Sequence, residues 1–188
     1  MEHFWESLKG EDWFSYPKLY KEVVDNCSYD KTAHFVEVGS WKGRSACFMA
    51  VEIINSHKSI KFDCVDCWLD DKVYSEFIDN INPVHNFINV IKHYSTVAST
   101  HYQDNSLNFV FIDAHHTYKA VTDDIKYWYP KVKEGGIIAG HDFWINTHSR
   151  YVVGVNEAVI GRFKNDFVST TEGCWIHTKK KETKKSMI

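Results

Sequence analysis

Two short stretches hold the side chains with the clearest capacity for chemistry. Asp113 and His116 lie three residues apart in one, and His141 and Asp142 are adjacent in the other. Each stretch comes at the end of an apolar run, so both are expected where a buried strand ends. Two carboxylates form a hard oxygen site for a divalent cation, and an added imidazole shifts the preference toward manganese, iron or zinc without excluding magnesium. The competing interpretation is that His115 and His116 only cap a helix or face solvent.

A glycine-bearing turn after an earlier apolar run is a candidate ligand-binding loop. Gly39 and Gly43 allow a sharp turn and a close approach of the backbone to a ligand. The helix expected after them offers free N–H groups. The spacing differs from the G-x-G-x-x-G of dinucleotide-binding proteins. The negative charge of Glu37 favours a ligand with a positively charged amino group over a pyrophosphate.

A single carboxylate marks the end of the next apolar run. Asp66 is placed to accept hydrogen bonds from two ribose hydroxyls. An aspartate at this position can equally cap a turn, and that alternative stays open. Cys64 and Cys67 form a C-x-x-C pair here. Zinc or redox chemistry is disfavoured, because Cys64 lies inside an apparent strand and no second pair is nearby.

Alternating strands and helices would place these groups along one edge of a sheet. Strands are predicted over 34–38, 60–66, 107–113 and the "IIAGHD" stretch that follows a "KEGG" turn. Helices are predicted over 17–26, 43–55, around 73–80, over 95–102, between "FVFID" and Pro130, and over 155–163. "FINVIKH" reads as either a helix or a strand, and the chain closes with an antiparallel hairpin. The pattern indicates an α/β domain with a mainly parallel sheet, helices on both faces, and ligands beyond the carboxyl ends of the strands.

Length and composition favour one folded domain. The chain has 188 residues, of which 44% are hydrophobic, and we predict a single domain over 1–178. Residues 1–30 would form a helical cap whose aromatic side chains pack on the domain or roof a pocket. Residues 179–188 are predicted to be a basic, disordered tail.

Charge, hydropathy and cysteine usage exclude several classes of protein. A net charge of −3 argues against a nucleic-acid-coating protein. No apolar stretch reaches the roughly 18 residues of a membrane span, and no secretory signal is present. Five cysteines, an odd number without framework spacing, indicate reduced thiols and a cytoplasmic protein. The sequence leaves a homo-oligomer open.

Four motifs together resemble the class I S-adenosylmethionine-dependent methyltransferases. They are "FVEVGSWKGRSA", the acidic residue of "VDCW", "SLNFVFIDAHHTYKAVTDDI" and "KVKEGGIIAGHDF", and the resemblance runs from about residue 34 to 163. It implies a Rossmann-like fold. Within the family, D-x-x-H after the fourth strand and an acidic pair after the fifth are typical of the metal-dependent sugar O-methyltransferases, which this sequence resembles.

The resemblance also implies roles for individual residues. Those expected to hold the methionine part of the cofactor are Glu37, Gly39, Ser40, Gly43 and Ser45. Asp66 would hold the ribose, and Ser95 would lie near the adenine. Asp113 would border the cofactor and bind Mg²⁺ or Mn²⁺ with Asp142 and His141, and His116 would be the base. The sequence departs from the family pattern at two positions. Ala114 stands where glycine is usual, which is a small change. His141 stands where metal-dependent enzymes tend to have glutamate, and this difference weakens the prediction of a metal but not that of the cofactor.

The predicted reaction transfers a methyl group to a hydroxyl of a small molecule or sugar. A cation would lower the pKa of that hydroxyl, and His116 would take its proton. One alternative is a non-catalytic domain that binds the cofactor or a partner, which the basic tail and aromatic N-terminus would suit. A second alternative is a nicotinamide-dependent oxidoreductase. The glycine spacing and the charge of Glu37 argue against it. Acceptor recognition would come from 1–30, 67–92, 143–153 or a partner subunit.

Overall fold

Seven strands of the described chain pair into one sheet. The computed structural model describes residues 1–8, 10–11, 13–28, 30–144 and 150–181. The strands are β1 (Ala33–Val38), β2 (Ile60–Asp66), β3 (Asn89–Lys92), β4 (Leu107–Ile112), β5 (Val132–Gly140), β6 (Val168–Ser169) and β7 (Trp175–Thr178). Their order is β3-β2-β1-β4-β5-β7-β6, with β1 to β5 parallel and the β6–β7 hairpin antiparallel. The expected mainly parallel sheet with a C-terminal hairpin is confirmed.

Helices cover both faces of this sheet. They are α1 (Pro17–Asp25), α2 (Arg44–Ser56), α3 (Asp71–Ile81), α4 (Ser95–Ala98), α5 (Tyr118–Trp128) and α6 (Arg150–Phe163). Successive strand residues point to opposite faces. Phe35 and Phe111 therefore join the core under α1 and α2, whereas Val36 and Val110 join the core under α5 and α6. This strand order with helices on both faces is the Rossmann-like arrangement that the resemblance implies.

The ambiguous stretch before β4 divides between a helix and a strand. α3 ends at Ile81, and a 3₁₀ turn over Asn82–Phe87 carries Pro83 at its start. "FINVIKH" then supplies β3, which pairs in parallel with β2. Proline cannot continue the helical hydrogen bonding, and the open edge of β2 gives the following residues partners as a strand.

The "KEGG" stretch is not the turn that the sequence predicts. Its residues 133–136 belong to β5, where the pairing is irregular: Leu107 pairs with Val132, but Phe109 pairs with Ile137. The extra residues are accommodated by a bulge. Gly135 at a φ of +78° supplies the left-handed backbone that this requires.

The first part of the supposed tail is anchored. Lys179 is buried, and its Nζ donates to the Asn105 side chain at 2.9 Å and to the Val132 carbonyl at 2.8 Å. Lys180 pairs with Asp166 at 2.7 Å. The prediction of disorder from residue 179 is therefore wrong for these lysines, and 182–188 lie outside the described residues.

Two further sequence expectations concern the cysteines and the membrane. All five cysteines are free thiols, and Cys64 is fully buried in β2. Across the described ranges, no helix has the length and hydropathy needed to cross a bilayer.

Candidate active site

A cavity of about 1150 Å³ opens where the parallel strands end. Its walls come from the segments that follow β1, β2, β4 and β5, from the start of α4, and from the N-terminal segment 11–16. Ligands of parallel α/β sheets bind at this edge. All the residues with an expected ligand or catalytic role border the cavity except Glu37.

The turn after β1 requires glycine at both positions, because the backbone there has positive φ angles and leaves no space for a Cβ atom. Gly39 has a φ of +94° and Gly43 a φ of +81°. A Cβ on Gly39 would lie 2.1 Å from the carbonyl oxygen of Asp113, and one on Gly43 would lie 2.9 Å from the Phe77 ring. The glycines thus pack the turn against the end of β4 and against α3. This packing places the first turn of α2 beside the cavity, where Arg44 and Ser45 line the wall.

Glu37 lies behind this turn rather than in the cavity. Its side chain is 1% exposed, and the Tyr20 hydroxyl donates to Oε2 at 2.6 Å. Burial raises the pKa of Glu37 to about 7 despite that hydrogen bond. Glu37 therefore lies under the turn and does not border the cavity, whereas Ser40 and Ser45 do, and its contact with the ligand stays a prediction.

Asp66 caps two turns and also lies at the wall of the cavity. Its carboxylate lies at the cavity wall and accepts the backbone N–H groups of Trp41 and Trp68, each at 2.9 Å. Both tryptophans have positive φ angles, 40° and 37°. Asp66 therefore fixes two strained turns. Each bond uses one oxygen, so lone pairs remain for a ligand.

Ser95 stands at the first position of α4 and also borders the cavity. It donates its hydroxyl hydrogen to Asp124 on α5 and accepts the Trp128 indole N–H at 2.8 Å. Burial raises the pKa of Asp124 to about 6.

The carboxylates expected after β4 and β5 converge around one imidazole. His116 Nε2 lies 3.3 Å from Asp113 Oδ1 and 3.2 Å from Asp142 Oδ2. The adjacent parallel pairing of β4 and β5 brings the two strand ends together. The hydrogen bond to Asp113 raises the pKa of His116 and outweighs the opposite effect of burial. His115, by contrast, is exposed, and its Nδ1 accepts the Thr117 N–H at 3.3 Å.

His141 turns one ring nitrogen toward the protein and the other toward the carboxylates. Nε2 lies 3.1 Å from the Glu172 carbonyl oxygen and 3.0 Å from the Ser15 hydroxyl. A carbonyl oxygen only accepts, so Nε2 carries a hydrogen. Nδ1 then faces Asp142 Oδ1 at 3.6 Å and Asp113 Oδ2 at 3.9 Å. Ligand atoms of Asp113, His141 and Asp142 all lie within 4.8 Å of one another, a spacing that suits one metal ion.

The N-terminal segment supplies site residues that sequence reasoning did not name. The hydroxyl of Tyr16, a residue only 3% exposed, donates to Asp113 Oδ2 at 2.9 Å, and Ser15 contacts His141. The guanidinium of Arg44 holds the preceding residues by donating to the carbonyls of Trp5 and Leu8. The aromatic cluster at 13–16 was the signal in the sequence, since such a cluster must bury.

Comparisons with known proteins agree with this geometry. A family model described as a methyltransferase domain matches residues 36–143, more than half of the chain. No curated protein matched the sequence. The S-adenosylhomocysteine-bound methyltransferase PaMTH1 of Podospora anserina is 12% identical, with a TM-score of 0.62 over 94% of this chain and 92% of that one.

Two other solved structures resemble the chain to a similar degree. The cofactor-bound protein Rv0187 from MTB is 11% identical, with a TM-score of 0.66 over 94% of this chain and 87% of that one. The O-methyltransferase NovP is 13% identical, with a TM-score of 0.66 over 88% and 79% of the two chains. At such low identity the likeness shows the fold alone. The family match carries the assignment: this chain belongs to the methyltransferase domain family and is a class I S-adenosylmethionine-dependent methyltransferase.

Proposed function

We propose that this methyltransferase acts on a hydroxyl group of a small molecule, with His116 as the base. The observation that carries the proposal is the imidazole held between Asp113 and Asp142 at the cavity wall, 3.3 and 3.2 Å from their oxygens. A neutral hydroxyl is a poor nucleophile, and a base and nearby charge at the same point address that weakness. The likeness to the O-methyltransferase NovP supports oxygen as the methylated atom.

The cofactor would lie along the strand ends from β1 to β3. Its methionine part would meet the turn 39–45 and the N–H groups that begin α2. Asp66 would accept the ribose hydroxyls with the lone pairs that its backbone bonds leave. The adenine would then point toward α4 and Ser95. The sulfonium methyl would face the cluster of Asp113, His116 and Asp142.

The chain's own groups fit a divalent cation beside the cofactor. Asp113, Asp142 and Nδ1 of His141 form a mixed oxygen and nitrogen donor set. Nε2 of His141 carries the hydrogen that it donates to the Glu172 carbonyl. Nδ1 then either has a lone pair that points at the two carboxylates, in a neutral ring, or carries a second hydrogen, in a charged ring. In the neutral ring the lone pair of Nδ1 would face the negative charges of Asp113 and Asp142, and a cation bound by all three side chains would remove that repulsion. A bound Mg²⁺ or Mn²⁺ would lower the pKa of the acceptor hydroxyl.

The protein's part in the transfer is positioning and proton removal. The cavity would hold the acceptor oxygen in line with the methyl carbon and sulfur, which removes much of the entropic barrier. Nε2 of His116 faces two carboxylates and so carries a hydrogen, and the other ring nitrogen, Nδ1, would take the hydroxyl proton as the carbon–oxygen bond forms. Asp113 and Asp142 would stabilise the imidazolium that results, and Tyr16 would hold Asp113 in place.

Ligand binding and turnover test this function separately. S-adenosylhomocysteine should raise the melting temperature, and NAD should leave it unchanged. Turnover is assayed as enzyme-dependent formation of S-adenosylhomocysteine with a panel of alcohols, sugars and phenols, with and without Mn²⁺. Binding of NAD alone would favour an oxidoreductase. Tight cofactor binding without turnover of any hydroxylated acceptor would favour a non-catalytic domain.

A further inference from the structure

A further acidic side chain borders the cavity apart from the Asp113 cluster. Asp124 lies on α5 and is 5% exposed, yet it belongs to the cavity wall together with Ser95 and Thr96 of α4. No step of the proposed reaction uses it. A carboxylate removed from water is costly unless hydrogen-bond donors surround it, so its partners need to be accounted for.

The protein satisfies only one oxygen of this carboxylate. Ser95 donates to Oδ1 and is itself held by the Trp128 indole. Among the described residues no group donates to Oδ2, and this oxygen is not sealed off from the cavity. The nearby cation of Lys119 is engaged with Asp123 at 2.5 Å. Oδ2 of Asp124 can therefore accept a hydrogen bond from a ligand in the cavity.

Ser95 cannot itself recognise a base by donating. Its single hydroxyl hydrogen is committed to Asp124, so its function is to fix the direction of that carboxylate. At neutral pH the carboxylate is mostly ionised, because its pKa is about 6. The group presented to the ligand is thus an oriented, anionic acceptor.

The cofactor's adenine is the part that would reach this wall. Asp66 ends β2, the neighbouring strand β3 leads into α4, and α4 begins at Ser95. Adenine linked through N9 has one strong hydrogen-bond donor, its 6-amino group. We propose that Asp124 accepts a hydrogen bond from that 6-amino group and so makes the site selective for a 6-aminopurine over a 6-oxopurine. This inference rests on the proposed placement of the cofactor.

S-Inosylhomocysteine provides the matched ligand, because a carbonyl oxygen replaces the amino group of S-adenosylhomocysteine. Calorimetry should show that the wild-type protein prefers S-adenosylhomocysteine by about 10- to 100-fold, as expected when a hydrogen bond to a charged group is lost. Asp124→Asn should reduce this preference at least about tenfold, since an amide can donate to the 6-oxo group. Asp104→Asn is the control, because Asp104 pairs with Lys131 and does not line the cavity, and it should leave the preference unchanged.

Each outcome decides the inference. Equal wild-type affinity for the two ligands would overturn it without any variant, which covers the case in which Asp124→Asn does not fold. A folded Asp124→Asn protein that keeps the wild-type preference would also overturn it while leaving the proposed function intact. Failure of the wild-type protein to bind either ligand would overturn the cofactor placement and the proposed function with it.

Discussion

The hydroxyl of Tyr16 donates a 2.9 Å hydrogen bond to Oδ2 of Asp113 and thereby ties the N-terminal segment to the end of β4. Tyr16 is buried, and its ring also lies 4.6 Å from the ring of Phe111. The bond is made to the carboxylate that contacts His116, so the N-terminal segment is part of the site.

Tyr16→Phe removes this bond and keeps the ring. We expect turnover to fall about tenfold, the worth of a hydrogen bond to a charged group. The dissociation constant for S-adenosylhomocysteine should change less than about twofold, because Tyr16 contacts Asp113 and not the turn 39–45 proposed to hold the cofactor. The melting temperature is the control for folding. Unchanged turnover would remove Tyr16 from the machinery that positions Asp113.

His116→Ala should lower turnover by about 10²- to 10⁴-fold, the usual contribution of a general base. Cofactor affinity should barely change, since the imidazole would touch the acceptor and not the sulfonium. His115→Ala is the matched control, because His115 is exposed and its Nδ1 accepts the Thr117 N–H of its own loop rather than contacting the carboxylates of Asp113 and Asp142. A costlier loss at His115 would contradict the assignment of the base.

Asp142→Asn should weaken Mn²⁺ binding, measured by electron paramagnetic resonance on the protein with S-adenosylhomocysteine bound. One of two carboxylates would be lost from the donor set. Asp104→Asn is the control, because Asp104 pairs with Lys131 before β4 begins, at the other end of the sheet. Full turnover in excess chelator, or Mn²⁺ affinity equal in all three proteins, would exclude the metal site.

Asp66→Ala and Asp66→Asn should differ in their effect on cofactor affinity. Alanine removes the acceptor for the ribose and for the Trp41 and Trp68 N–H groups, so affinity should fall about tenfold or more. Asparagine keeps one carbonyl oxygen and should cost less. Calorimetry with S-adenosylhomocysteine measures both. Two variants that bind as tightly as the wild type would leave Asp66 with only its turn-capping role.

Glu37→Gln should change the pH dependence of stability. The pKa of Glu37 is about 7 in the folded protein, against an ordinary value of 4.5. Between these values the native state binds more protons than the unfolded state, so this group makes stability fall as pH rises. The stability of Glu37→Gln relative to wild type should therefore increase from pH 4.5 to pH 7, by about 3 kcal/mol at most. Denaturant titrations across this range test the slope, and a constant difference would refute it.

The sequence located the elements better than it located their contacts. The buried strands β1, β2 and β4 are short apolar runs between turns, so their place and the convergence of Asp113 with Asp142 follow from local pattern. The position of Glu37 under the turn could not be predicted, because periodicity does not tell which face of a strand end opens into the cavity. Tyr16 was missed because its partner lies 97 positions away in the chain.

The contact between Gly39 and the Asp113 carbonyl has a consequence for interpreting loss-of-function variants. Any side chain at position 39 would collide with the backbone that bears Asp113, since even its Cβ would lie 2.1 Å from that oxygen. A Gly39→Ala protein would therefore be damaged twice, in the loop proposed to bind the methionine part of the cofactor and in the placement of the proposed acid–base residues. Its phenotype would not separate the two defects, so mutational surveys of this enzyme should probe cofactor affinity at Ser40 or Ser45 instead.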